Sequence, residues 1–225
     1  MGNLDGDDYP IKLRMKAADC ITVSVDYRRA PEAPFPAPLE DCYAALKWCF
    51  EHADEIGVDS SRIAIGGGSA GGGLAAALAL LVRDRAEMDV VFQMLIYPMI
   101  DDTNVAPASE TLPDTYIWSR ANNLFGWTSY LGRAPGGEGV SPYAAAFRAS
   151  DLTGLPPALI VVGELDLFVD ENIEYARRLI GAGIPTELQV YPGAYHGFIN
   201  IAPEADVSQQ CIAACTQALK KALHQ

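Results

Sequence analysis

The sequence predicts an α/β fold, a mainly parallel sheet with helices on both faces. Three observations predict it. Short apolar or β-branched runs recur along the chain, helical periodicities separate them, and most runs are continuously apolar instead of alternating. Continuous apolarity suits parallel strands buried on both faces, and strand–helix alternation implies right-handed βαβ units.

The runs read as strands are Ile21–Asp26 (ITVSVD), Arg62–Gly66 (RIAIG), Phe92–Tyr97 (FQMLIY), Ala158–Val162 (ALIVV) and Glu187–Tyr191 (ELQVY). After the first, Leu39, Cys42, Leu46, Cys49 and Phe50 form an apolar stripe at helical spacing, with Glu40, Asp41, Lys47 and Glu51 on other faces. An Ala/Leu-rich helix is expected over Gly73–Arg85. The next, Asp170–Ile180, opens on acids suited to a helix N-terminus and closes on Gly181 and Gly183, which suit a C-cap. The last helix is expected over Ser208–Leu223.

From Asp101 to Arg148 the alternation stops and no strand is predicted. Tyr116, Trp118, Phe125, Trp127, Tyr130 and Tyr143 gather there with Pro and Gly. An insertion of that length covers a site or decorates the sheet edge. The length of 225 residues suits one domain, 1–225, with the 101–148 insertion near its site.

The formal net charge is −13, and Arg28–Arg29 and Arg177–Arg178 are isolated basic pairs, so no nucleic-acid partner is expected. The longest apolar run, Leu74–Val82, falls far short of the ~20 residues of a membrane span. No signal-peptide pattern opens the chain. Five cysteines without a C-x-x-C pair read as buried thiols and suit a reducing cytoplasm. No cluster of ligands predicts a metal.

IAIGGGSAGGG, residues 63–73, fits two chemistries. Gly66, Gly68 and Gly71 spell a dinucleotide-binding G-x-G-x-x-G, while Gly67, Ser69 and Gly71 spell a G-x-S-x-G nucleophile elbow. The dinucleotide reading needs an acid at the end of the next strand. Asp84, Glu87 and Asp89 come before that strand, and its end carries Tyr97-Pro98. A P-loop needs a Lys after the glycines, and none follows.

A serine nucleophile needs a histidine base, which needs an orienting carboxylate. Of three histidines, His52 lies on the polar part of the early helix and His224 is penultimate. His196, in YPGAYHGF, follows the last strand at the sheet edge where open α/β sheets place their sites. Asp166 lies just past the fourth run; Asp170 opens a helix and Glu164 is a weaker rival. The order Ser69, Asp166, His196 is that of α/β hydrolases.

With these residues in place, the chain resembles the hormone-sensitive-lipase-like branch of the α/β-hydrolase esterases. The resemblance rests on VSVDYRRAPEAPFPAPLEDC, GGGSAGGGLAAALAL, FQMLIYPMIDD, VSPYAA, LPPALIVVGELDLFVDE and TELQVYPGAYHGF, spanning roughly residues 21–200. It implies an α/β-hydrolase fold and a serine carboxylesterase for short- to medium-chain esters, working through an acyl-enzyme with no cofactor and no metal. Ser69 would be the nucleophile, His196 the base and then acid, and Asp166 the orienting carboxylate. The Ala70 N–H would donate into the oxyanion hole, and Phe198 would bind substrate beside His196. Many relatives carry Asp at the position of Gly68.

The family's H-G-G-G motif, which supplies the other oxyanion donors, would stand just before Met1-Gly2-Asn3-Leu4. The chain is therefore expected to be a shortened esterase, lacking N-terminal strands and a central strand between Ile21–Asp26 and Arg62–Gly66. A non-catalytic binding protein on the same fold is the alternative, and an amidase would use the same residues. A homodimer through the edge strand Glu187–Tyr191 is also expected.

Overall fold

The computed structural model describes residues 16–103 and 117–224. Tyr116 and the opening segment Met1–Leu4 lie outside them. The sheet has four parallel strands in the order β1 (Ala64–Gly68), β2 (Phe92–Ile96), β3 (Ala158–Gly163) and β4 (Thr186–Tyr191). The register sets Gly66 beside Met94, Leu95 beside Ile160 and Val161 beside Gln189. The helices are α1 (Ala37–Glu51), α2 (Ala53–Ile56), α3 (Ala70–Arg85), α4 (Arg120–Leu131), α5 (Val169–Gly181), α6 (Phe198–Ile201) and α7 (Asp206–Leu223).

Alternate residues of the strands face opposite layers. Leu95, Ala158 and Ile160 pack with Leu39, Leu46, Leu78, Tyr175 and Leu179, so α1, α3 and α5 cover one face. Phe92, Ile96, Leu159 and Val161 pack with Cys211, Cys215, Leu219 and Leu223 of α7 on the other. Both faces of the central strands are dry, which is why their runs read as unbroken apolar sequence. α3 is buried from Gly72 through Val82 and ends in a left-handed cap at Ala86. No helix among the described residues is long and apolar enough to cross a membrane.

The first two strand readings differ most from the structure. Arg62 closes a 3-10 turn, Ser60–Arg62, in which the Asp59 carboxylate accepts the Ser61 N–H, so β1 starts at Ala64 and runs on through Gly68. Ile21–Asp26 is not a strand. The run has no ladder partner among the described residues, and Ile21 and Val23 are 59% and 46% exposed. A β-branched run reports fitness for a pleated, packed surface and cannot supply the neighbouring strand. Among the described residues β1 pairs with β2 alone and forms one edge of the sheet; β4 forms the other.

A third apolar cluster joins the aromatic segment to the sheet's C-terminal edge. Trp127, Val140, Ala144 and Ala145 pack against Met99, Leu167 and Phe168. Beside them Asp102, fully buried, accepts from both the Nε and an Nη of Arg148 and from the Gly136 N–H. The described part of the 101–148 segment holds a helix and a 3-10 turn, Ala146–Arg148, but no strand.

The two apolar runs should answer differently to truncation. Ile160→Ala in fully buried β3 should cost about 2–5 kcal/mol in urea unfolding. Ile21→Ala should change stability by no more than about 0.5 kcal/mol. A large loss at Ile21 would mean that its run is packed in the native state.

Candidate active site

Parallel strands end at one edge, and three of those ends carry the residues singled out above. β1 runs into Ser69, which leads straight into α3. Ser69 has φ 55° and ψ −123°, a conformation that a non-glycine residue keeps only under constraint. Its N–H donates to the Ile96 carbonyl at 2.9 Å, and its carbonyl accepts from Gly73 at 3.0 Å and Met99 at 3.1 Å. The turn is too tight for side chains. A Cβ on Gly67 would overlap the main chain of Gly71, and one on Gly73 would overlap the Met99 carbonyl.

Asp166 follows β3 and His196 follows β4. His196 Nε2 lies 2.8 Å from Ser69 Oγ, and His196 Nδ1 lies 2.8 Å from Asp166 Oδ2. The Phe168 N–H donates to the other Asp166 oxygen at 3.0 Å. A proton on Nδ1, given to Asp166, leaves the Nε2 lone pair facing the serine hydroxyl. Asp166 is fully buried and His196 is 7% exposed, whereas Ser69 is half-buried at the surface of the cleft.

The rivals go elsewhere. Glu164 accepts the Gly193 N–H at 2.9 Å, and Asp170 sits in the first turn of α5. His52 Nδ1 meets the Trp48 carbonyl, and His224 Nε2 meets the carbonyls of Ala18 and Asp19. Ala70 is the first residue of α3, so its N–H is among those with no acceptor inside the helix. Among the described residues no group of three or more His, Cys, Asp or Glu could hold a metal ion.

Known proteins share both fold and sequence. Residues 1–200 match a family described by its alpha/beta hydrolase fold. The carboxylesterase NlhH of Mycobacterium tuberculosis is 38% identical over 227 residues, covering 100% of this chain and 70% of that protein. The chain belongs to the α/β-hydrolase family, in its hormone-sensitive-lipase-like branch. The solved structure of esterase LipW from Mycobacterium marinum matches this α/β hydrolase with a TM-score of 0.94. Its identity is 39%, over 100% of this chain and 70% of LipW. A bacterial heroin esterase matches with a TM-score of 0.86 and 46% identity, over 88% of this chain and 63% of that one.

The hydrolase's histidine stands in an aromatic box that sequence reasoning only partly anticipated. Tyr97 meets the imidazole edge-on with ring centroids 4.8 Å apart, and Phe168 does so at 5.1 Å. Trp118, fixed by a bond from its Nε1 to Asn123, lies at 6.3 Å. Phe198 is 2% exposed and packs against Tyr97 and Tyr191, so it bears on the cleft through Tyr97. Tyr97 and Phe168 were legible only by position: one follows β2 at the site edge, the other is two residues from Asp166.

Glu171, in the first turn of α5, is also part of this neighbourhood. It is 4% exposed, and its Oε1 accepts the N–H groups of Ile100 at 2.9 Å and Asp101 at 3.2 Å. Burial pushes its carboxyl well above the ordinary range; the two N–H bonds oppose the shift, and Asp101 and Asp166 add to it. The folded chain therefore binds this proton more tightly than the unfolded chain. Its stabilising contribution is complete below the ordinary glutamate range and is lost as pH rises through the elevated folded value. Glu171→Gln cannot ionise, so its stability should fall less steeply between about pH 4 and about pH 8. Urea midpoints across that range check this, and parallel curves for the two proteins would refute it.

Proposed function

We propose that the chain is a serine carboxylesterase acting on short- to medium-chain esters. The observation that carries the reading is the line Ser69 Oγ, His196 Nε2, His196 Nδ1, Asp166 Oδ2, with 2.8 Å at each hydrogen bond. His196 takes the Ser69 proton as Oγ attacks the ester carbonyl, and Asp166 holds the resulting imidazolium. The Ala70 N–H, at the positive end of α3, faces the developing oxyanion. Collapse of the tetrahedral adduct sends the proton from Nε2 to the departing alcohol and leaves an acyl-Ser69. Water, deprotonated by His196, then releases the acid and restores the hydroxyl.

The relatives named as esterases support ester over amide chemistry. The closeness of Tyr97, Phe168 and Trp118 to the imidazole supports small substituents, with Phe198 backing the Tyr97 wall. None of the five cysteines is in a disulfide, which supports a reducing cytoplasm. The edge position of β4, with Val190 38% exposed, supports a homodimer paired along that strand. Sedimentation at micromolar concentration should give twice the chain mass, and a single monomer species would remove the dimer.

A fluorophosphonate should label the wild-type chain once, and Ser69→Ala should abolish both labelling and turnover of p-nitrophenyl acetate and butyrate. Asp166→Asn should lower kcat by about 10⁴-fold. Folded wild-type protein that neither labels nor turns over these esters, yet binds them, would make the chain a binding protein on a hydrolase fold.

A further inference from the structure

Residues 97–101, the loop that follows β2, touch two members of the catalytic line, Ser69 and His196. The Met99 N–H donates to the Ser69 carbonyl at 3.1 Å, and the Tyr97 ring lies against His196. The same loop is gripped from the other side by α5, the helix that begins three residues after Asp166. Glu171 Oε1 takes the Ile100 and Asp101 N–H groups, and Asn172 Nδ2 donates to the Pro98 carbonyl at 2.8 Å. Asn172 is fully buried and Glu171 nearly so. A carboxyl group is costly to bury and contributes little to packing that an apolar side chain would not. What it supplies is an acceptor at which two neighbouring N–H groups converge.

We propose that Glu171, with Asn172, is a positioning residue for the hydrolytic reaction. It locks the 97–101 loop to the first turn of α5, so the strained Ser69 turn and the Asp166 loop cannot shift independently. The role rests on the esterase reading above. Without the grip, Met99 would no longer fix the Ser69 carbonyl and Tyr97 would no longer fix the imidazole plane. Displacements of that kind reach the rate strongly, because ~1 Å of misplacement costs ~10²-fold. Substrate binding at the aromatic walls would change far less.

The test compares Glu171→Ala, Glu171→Gln and wild type in kcat and KM for p-nitrophenyl butyrate, normalised to fluorophosphonate-titrated sites. Glu171→Ala should lose roughly 10–100-fold in kcat with KM held within about twofold. Glu171→Gln keeps Oε1 as an acceptor and should return kcat to within about threefold of wild type. A lost hydrogen bond that mattered only to stability would lower the melting temperature and leave kcat per titrated site intact; that result overturns the proposal. So does a Gln variant as slow as Ala, since the acceptor would then not be the operative feature. Should the Ala variant fail to fold, Glu171→Asp decides, because its shorter carboxyl withdraws from both N–H groups: wild-type kcat there refutes the role. Wild-type protein without labelling or turnover would instead count against the esterase reading itself.

Discussion

The site depends on one close approach of backbone to backbone. The turn at 67–73 and the loop after β2 meet with no room for a Cβ at Gly72 or Gly73. That contact brings the Ile96 carbonyl and the Met99 N–H within hydrogen-bond reach of Ser69. Holding a serine at φ 55° costs ~1–3 kcal/mol. The three main-chain bonds at Ser69, at ~0.5–1.5 kcal/mol each, are of the size needed to offset it. In return the hydroxyl stands clear of the sheet, at the N-terminus of α3, where a helix dipole favours developing negative charge. The glycines serve this geometry, and no phosphate is needed to explain them.

Sheet topology does the remaining assembly. Residues at 69, 166 and 196 are far apart in sequence, yet each follows the C-terminal end of a strand in one parallel register. Rigid strands therefore set the mutual distances, and local packing sets the angles. Phe168 N–H fixes one oxygen of Asp166, leaving the other for His196. The edge-on rings of Tyr97 and Phe168 leave the imidazole one plane in which both hydrogen bonds survive. Burial of the Asp166–His196 pair keeps water from competing with it, which strengthens the bond that stabilises an imidazolium.

Much of this was legible in the sequence, for reasons that can be named. β2 and β3 were visible because a strand dry on both faces must be continuously apolar, whereas β4, half-exposed at the edge, showed itself by alternation. The pairing of Ser69 with His196 and Asp166 followed from chemical need plus position after a strand. The Ile21–Asp26 run carries a β-branched signal but has no ladder partner among the described residues, and pairing is not a property of one segment. Glu171 was hidden for the opposite reason. An acid in the first turn of a helix is ordinarily a solvated partner for the dipole, so its inward turn toward Ile100 and Asp101 has no local signature. Tyr97 was legible only by its position after β2, because its contact with the imidazole arises from the segment after β4 delivering His196 to the end of β2.

The Ser69–His196–Asp166 line and the aromatic wall beside it share their supports. Tyr97 flanks the imidazole and begins the loop whose Met99 holds Ser69; Phe168 flanks the imidazole and holds Asp166 through its own backbone. Trp127, Leu167 and Met99 pack in one cluster, so the helix of the aromatic segment rests on the same two loops. A change at these residues therefore moves His196 and Asp166 together with the wall. Trp118 is the exception. It reaches the histidine from outside the sheet, tethered to Asn123, and no triad residue hangs from it. Trp118 can be altered while the Ser69–His196–Asp166 line stays in place; at Tyr97 and Phe168 wall and line are mechanically one.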